Sequence, residues 1–165
     1  MDAERLLLIA YDGSDLSKAA VRRAAELFPG AAVSVATVWE PGLVAMASLG
    51  MSADPVTGIT ALPDLETVSA VERAEEDHAV RVAEEGAELA RSLGLNAQPD
   101  AVSDETQIAE ALLDLAERKG AAALVVGTHG ITGLRSHLVG SVSRRLLQHA
   151  QIPVLVVREG PSHSD

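Results

Sequence analysis

The amino-acid sequence predicts an α/β domain with a mainly parallel sheet and helices on both of its faces. Three observations lead there. Short apolar runs alternate along the chain with longer stretches of helical period. Several of those runs are continuous rather than alternating, as suits strands covered on both faces. Glycine-containing turns follow the first and the fourth run, at Tyr11-Asp12-Gly13-Ser14 and Gly127-Thr128-His129-Gly130. In open α/β sheets ligands bind outside the carboxyl ends of the strands, where strand order switches. The two turns are therefore where function is expected.

Each element follows from its residues. Leu6-Leu7-Leu8-Ile9-Ala10 reads as the first strand. After the turn, Ser14 or Asp15 can cap a helix over 16–27. Its stripe is Leu16, Ala19, Ala20, Ala24 and Leu27, and Pro29-Gly30 stops it. Residues 32–39 are valine-rich and form the second strand. Residues 40–63 carry Gly, Pro, Ser, Met and Asp without a period, which predicts a long mobile or functional loop. A long helix is expected over 64–93, with Leu65, Val68, Val71, Ala74, Val82 and Ala90 on its buried side and the charged run 72–77 in solvent. Gly94 ends it. The third strand, 95–102, contains Pro99, which demotes it to an edge. An amphipathic helix over 105–119 runs through Ile108, Leu112, Leu115 and Ala116 to a stop at Gly120. The fourth strand (122–126), the glycine loop, a helix over 142–148 and a last strand over 154–157 complete the chain.

Composition narrows the function. A chain of 165 residues suits one domain, expected over 1–160, with a polar flexible tail at 161–165. Hydrophobic residues are 47% and aromatic residues only 2%, so Ala, Val, Leu and Ile must build the core. The net charge of −11 argues against nucleic-acid partners and anionic membrane surfaces. A phosphate ligand would need local donors and a cation against that field. With no cysteine, disulfides and thiolate metal sites are excluded. No apolar run reaches the length of a membrane span. The acidic N-terminus lacks the basic start and cleavage site of a signal peptide, and the expected location is the cytoplasm.

The glycine loop carries the chemistry. Its spacing is G-x2-G-x9-G-S, through Gly127, Gly130, Gly140 and Ser141, and it opens a helix. Glycines let a ligand approach main-chain N–H groups, and a helix N-terminus adds unpaired donors and partial positive charge. Amides near Gly130, Gly140, Ser141 and Val142 can hold phosphate oxygens, with the Ser141 and Ser143 hydroxyls adding bonds or facing a metal-bound water. The plainer alternative is a loop that only turns a corner. Asp12 can accept from ribose hydroxyls or orient a hydrated Mg²⁺, or it can simply make an Asx turn. The Val38 main chain can read an adenine edge, or Val38 can be core. On the Gly140 reading, Gly140→Val fills the phosphate space and leaves the fold intact.

Other chemistries fit less well. His129 and His137 do not share one helix turn, and no Cys or acidic cluster joins them, which argues against a metal held by protein ligands alone. Arg135, Arg144 and Arg145 are the basic groups near the loop; one can balance phosphate charge, and at least two are expected to be solvated. Ser141, His129 and Asp12 make a triad only on paper, because G-x-S-x-G is absent. No Lys-Ser/Thr follows the glycines as in a Walker A loop. No residue is marked for positioning an attacking water, so binding is better supported than turnover.

Taken together, Ala10-Tyr11-Asp12-Gly13-Ser14, Val126-Gly127-Thr128-His129-Gly130, and Gly140-Ser141-Val142-Ser143 leading to Pro153-Val154-Leu155-Val156-Val157 resemble the universal stress protein family, in its ATP-binding branch. The resemblance implies a Rossmann-like, five-stranded parallel sheet in the order 3-2-1-4-5. It implies ATP or another adenine nucleotide, with Mg²⁺, and a homodimer pairing the strand over 154–157. Asp12 would meet ribose and Val38 adenine. Gly127, Gly130, Gly140, Ser141 and Val142 would surround the phosphates, and Ala10, Tyr11 and His129 would line the site. The expected role is a stress or signalling module with little or no hydrolysis. A slow ATPase and a dimeric scaffold with a vestigial site are the alternatives. Tyr11 departs from the small or β-branched residue expected there, which would narrow the ribose side.

Overall fold

The five expected strands form and pair in parallel: β1 (Leu7–Ala10), β2 (Ala32–Trp39), β3 (Asn96–Ser103), β4 (Ala123–Gly127) and β5 (Val154–Val157). The structure, a computed structural model, describes residues 6–39, 41, 65–104, 107–129 and 140–158. The expected loop over 40–63, apart from Pro41, lies outside these, as do Gly130, Arg135, His137 and the expected tail. The sheet order is β3-β2-β1-β4-β5, as expected. The chain builds outward from β1 to β3, returns to β4 on the other side of β1, and ends at β5. β1 is therefore the switch point, flanked in register by β2 (Leu7↔Val33) and β4 (Leu7↔Ala123).

Alternation within each strand divides the core in two. Leu7, Ile9, Val33, Val35 and Val125 face one side, packed with Ala20, Val21 and Ala24 of helix α1 (Asp15–Leu27) and Ala87 and Ala90 of helix α2 (Leu65–Ser92). Leu8, Ala36, Leu124 and Val126 face the other, under Leu112, Leu115 and Ala116 of α3 (Ile108–Lys119) and Leu146 of α4 (Ser141–His149). Each fully buried Leu, Ile or Val contributes about 1.5–3 kcal/mol relative to exposure. Small residues on the helices let them lie close to the sheet, which compensates for the scarcity of rings.

The helices depart from expectation at their ends and in two stripes: on α1, Leu27, expected on the buried stripe, is 52% exposed, and Val21 is buried instead. Ser14, not Asp15, caps α1: its hydroxyl accepts from the Ser17 N–H at 3.2 Å. α3 starts at Ile108, after Gln107, and residues 105–106 lie outside the described part. It stops as expected at Gly120, left-handed at φ 62°. The stripe of α2 needs the larger correction. Ala74 is exposed, while Val68, Val71 and Val82 are half-buried; Leu65's side chain is not described. The buried line is Ala79, Ala83, Ala87 and Ala90. A helix of 28 residues is about 42 Å long, whereas an eight-residue strand spans only about 26 Å. Only the C-terminal part of α2 can lie on the sheet, and there alanine is favoured over valine. The charged run over 72–77 is largely solvent-facing, as expected.

β3 holds the predicted edge position, and Pro99 sits opposite Val35 in an unbroken register with β2. An edge strand tolerates a residue that lacks an N–H. Among the described residues no helix is long and apolar enough to cross a membrane.

Candidate functional site

The end of β1 is held by β2. The Tyr11 N–H donates to the Ala36 carbonyl at 2.8 Å, and the Thr37 hydroxyl donates to the Tyr11 carbonyl at 2.9 Å. The chain then turns through Gly13 at φ 79°, which favours glycine. Asp12 Oδ1 accepts the Ser14 N–H at 3.0 Å, so the Asx turn anticipated as one reading of Asp12 is present. One carboxylate oxygen thereby sets up the helix start, which fixes where the carboxylate stands.

Ala10 is half-buried and packs toward the α3–α4 side. Tyr11 goes the other way. Its ring is 2% exposed and lies in the α1–α2 core. The hydroxyl donates to Glu85 Oε1 at 3.0 Å, and Lys18 Nζ meets the same oxygen at 3.2 Å. Burial, then the Glu85 carboxylate, pushes the phenol well above its ordinary value. The hydrogen bonds from Lys18 and Tyr11 hold Glu85 below the usual carboxylate range. The expected narrowing of the ribose side by Tyr11 is thus corrected. The ring continues the alternation of Leu7 and Ile9 into the core, and only the main chain stands at the crevice.

At β4 the first glycine has a packing reason. A Cβ on Gly127 would lie 3.0 Å from Leu16 Cβ, so α1 could not approach β4 as closely over a larger residue. Thr128 comes next and is the hub of the loop. Its N–H donates to the Val157 carbonyl of β5 at 2.9 Å. Its own carbonyl accepts the Gly140 N–H at 2.7 Å and the Ser143 hydroxyl at 3.0 Å. The two ends of the segment over 129–139 are clasped there. Gly130, placed in the cradle by its spacing, lies outside the described residues.

This clasp changes three expectations. The Gly140 N–H and the Ser143 hydroxyl are used within the chain, and Ser143 is 2% exposed. Ser143 is therefore not placed to bond a phosphate or a metal-bound water through its hydroxyl. A Cβ on Gly140 would sit 2.8 Å from the Thr128 carbonyl oxygen. Gly140→Val would thus damage the loop itself, contrary to the expectation of an intact fold.

What remains open is the start of α4. Gly140 is its N-cap, with no side-chain cap bond, and the first turn holds no acidic residue. The first helical bond made there is from Arg144 N–H to the Gly140 carbonyl at 3.0 Å. The N–H groups of Ser141, Val142 and Ser143 therefore have no acceptor within the helix. Ser141 is exposed and Val142 half-buried. His129 stands beside them: its Nδ1 lies 3.1 Å from Thr128 Oγ1, and its Nε2 is buried without a partner among the described residues. Arg145 is engaged by Glu110 at 2.9 Å. Among the described residues no group of three His, Asp or Glu could hold a metal ion.

Val38 completes the crevice. Its side chain packs against the α3-side core, as the plainer reading expected. Its main chain does more. The Ala36 carbonyl points to β1, where it accepts the Tyr11 N–H. Main-chain direction alternates along a strand, so the Val38 N–H and C=O face the same way. The β1–β2 pairing ends at Ala10↔Ala36, so they face the space beyond the end of β1.

A doubly wound parallel sheet with a glycine-bounded loop and a helix start without a side-chain cap at its switch point defines the open α/β class, in which ligands bind beyond the carboxyl ends of the strands. The chain belongs to the Universal stress protein family, whose model matches residues 5–158. It is 31% identical over 154 residues to universal stress protein YxiE of Bacillus subtilis, covering 92% of this chain and 97% of that one. Its fold is that of the solved hypothetical protein MJ0577, with a TM-score of 0.71, 18% identity, and coverage of 96% and 99%. The universal stress protein of Archaeoglobus fulgidus in complex with dAMP also shares it, with a TM-score of 0.55, 19% identity, and coverage of 94% and 98%.

Thr128 was missed by sequence reasoning as a site residue. It lies inside the loop motif, but it acts through its main-chain carbonyl, which no residue identity reports.

Proposed function

We propose that this protein binds ATP or another adenine nucleotide in the crevice bounded by the ends of β1, β2 and β4 and the start of α4. Its output is a changed conformation or partner set rather than rapid turnover. The observation that carries the reading is the start of α4: three amides without a helical acceptor, no acid in the first turn, and a carbonyl clasp that holds the turn in place. Such a start suits an oxyanion even on an acidic molecule, because its donors are local and fixed. The dAMP complex of the Archaeoglobus fulgidus relative supports an adenine nucleotide.

On this reading Gly127, Gly130 and Gly140 shape the cradle, and the Ser141 and Val142 amides with the Ser141 hydroxyl meet phosphate. His129, beside the Thr128 clasp, lines the site, and Asp12 meets ribose or a hydrated Mg²⁺ that the phosphates bring with them. The Val38 main chain reads adenine. The Ala10 and Tyr11 main chain forms the wall. Ser143 supports the loop from beneath. The protein is further proposed to be cytoplasmic and to pair through β5 as a homodimer.

Calorimetric titration of the purified protein with ATP and with dAMP, with and without Mg²⁺, tests the reading. A saturable exothermic or endothermic isotherm for either is expected; flat traces with both would end it. A single-turnover assay decides the slow-ATPase alternative, which falls if wild type hydrolyses no faster than a Ser141→Ala, Asp12→Ala double variant. Nucleotide co-purifying with the protein in native mass spectrometry would remove the vestigial-scaffold alternative.

A further inference from the structure

The crevice wall at the end of β1 is set by a packing pair that lies outside the crevice. Gly86 lies inside the C-terminal part of α2, where glycine is unfavourable relative to alanine. The reason is steric. A Cβ there would lie 2.7 Å from Cγ and Cδ1 of Tyr11 and 2.8 Å from Cγ1 of Val35. The Tyr11 ring occupies the space that a side chain at position 86 would need. The ring is also tied at its far end, through the hydroxyl bond to Glu85, and Lys18 of α1 holds that carboxylate in turn. Its main chain is tied on the near side to Ala36 and Thr37. The residue that follows is Asp12.

We propose that Tyr11 and Gly86 are a size-matched positioning pair that fixes the height of the Tyr11–Asp12 main chain at the nucleotide crevice. Neither side chain touches the ligand in this account. Glu85 and Lys18 hold the ring's outer end, so α1 and α2 together set the wall from behind. The inference rests on the nucleotide reading above for its affinity readout, and on geometry alone for its ligand-free readout. It also accounts for a tyrosine where a small or β-branched residue is expected: the added bulk is accommodated by α2, not by the crevice.

Three variants test it: Gly86→Ala, Tyr11→Val, and the two combined. Gly86→Ala forces the ring aside, because carbon atoms cannot approach to that distance. In the ligand-free protein its Asp12, Gly13 and Ser14 amide resonances should shift. The combined variant should bring them back toward those of Tyr11→Val alone, since Val35 can then turn into the space left by the ring. Nucleotide Kd, measured below each variant's melting temperature, should weaken at least roughly tenfold in Gly86→Ala and recover most of that loss in the combined variant. Leu95→Ala serves as a control. Leu95 is 4% exposed in the same core but precedes β3, at the opposite end of the sheet. It should lower the melting temperature and leave Kd unchanged. Unshifted Asp12–Ser14 resonances in folded Gly86→Ala overturn the pair. So does a Kd in that variant equal to wild type, or a Kd that Leu95→Ala weakens equally. If wild type binds neither ATP nor dAMP, the nucleotide reading falls, and the resonances still decide whether the pair sets the wall.

Discussion

Two serines in the same turn of α4 separate a supporting role from the proposed binding role. Ser143 is buried and donates to the Thr128 carbonyl, whereas Ser141 is exposed at the helix start. Loss of one buried hydrogen bond costs about 1 kcal/mol, and a change at an exposed position usually stays within about 0.5 kcal/mol. Ser143→Ala should therefore lower unfolding free energy in urea by about 1 kcal/mol. Ser141→Ala should leave it near wild type and weaken nucleotide binding. The reverse pattern would remove Thr128 from its place as the hub. Gly140→Ala should cost more, about 1–3 kcal/mol, because its Cβ meets a carbonyl oxygen and not a yielding side chain. The sequence located this turn but not the duties within it. Ser143 lies three residues before Leu146 on the buried stripe, and that spacing was the available signal for its inward direction. Nothing in the residue names reports that Thr128 acts through its backbone.

At the scale of elements, β1, α1 and α2 meet at Tyr11, and pH offers a probe of that junction. The folded chain holds the Tyr11 proton more tightly than the unfolded chain, chiefly because the ring is buried. A raised phenol value stabilises the fold fully below the unfolded value of about 10. The contribution is lost as pH rises from there toward the folded value. Wild type should thus lose stability above about pH 10 more steeply than Tyr11→Phe, which keeps the ring and has no proton to lose. Denaturation curves of the two proteins at neutral and alkaline pH make the comparison; parallel pH profiles would mean that the hydroxyl is not held as described. Glu85 acts on the acid side with the opposite sign. Its lowered value stabilises the fold above the ordinary carboxylate range, and that stabilisation fades as pH falls through the folded value. Its side chain is 54% exposed, so solvent screening keeps this effect small. The strands could be anticipated because apolar runs and glycine turns are local signals; their order was implied only by the family resemblance, because it depends on pairings distant in sequence. The stripe of α2 could not be anticipated, because overhang depends on the length of the sheet beneath it. Even the direction of the Tyr11 ring had a local signal, the alternation of Leu7, Ile9 and Tyr11, which a reading centred on the ligand passed over.

At the scale of the whole molecule, β5 presents an edge that no other strand pairs with among the described residues. β5 closes one side of the sheet, with β4 as its only strand neighbour among the described residues. Its sequence is Val-Leu-Val-Val, and Val154, Leu155 and Val156 are only half-buried. A short apolar edge without charge invites pairing with another strand, and two copies related by a two-fold axis satisfy it symmetrically. The proposed dimer follows from that edge and from the family resemblance. Val156→Asp places two like charges near the axis and should shift the sedimenting mass from two chains to one at micromolar concentration, with circular dichroism confirming that the chain remains folded. The β4 side of the same strand gives this test a second reading. The Val157 carbonyl accepts the Thr128 N–H, so β5 is one hydrogen bond from the carbonyl that clasps the glycine loop. If pairing stiffens β5, the monomeric variant should bind nucleotide more weakly, and saturating nucleotide should raise its melting temperature less than that of wild type. A folded variant with unchanged mass would place the pairing surface elsewhere. Monomers with undiminished affinity would leave the dimer standing and uncouple it from the loop.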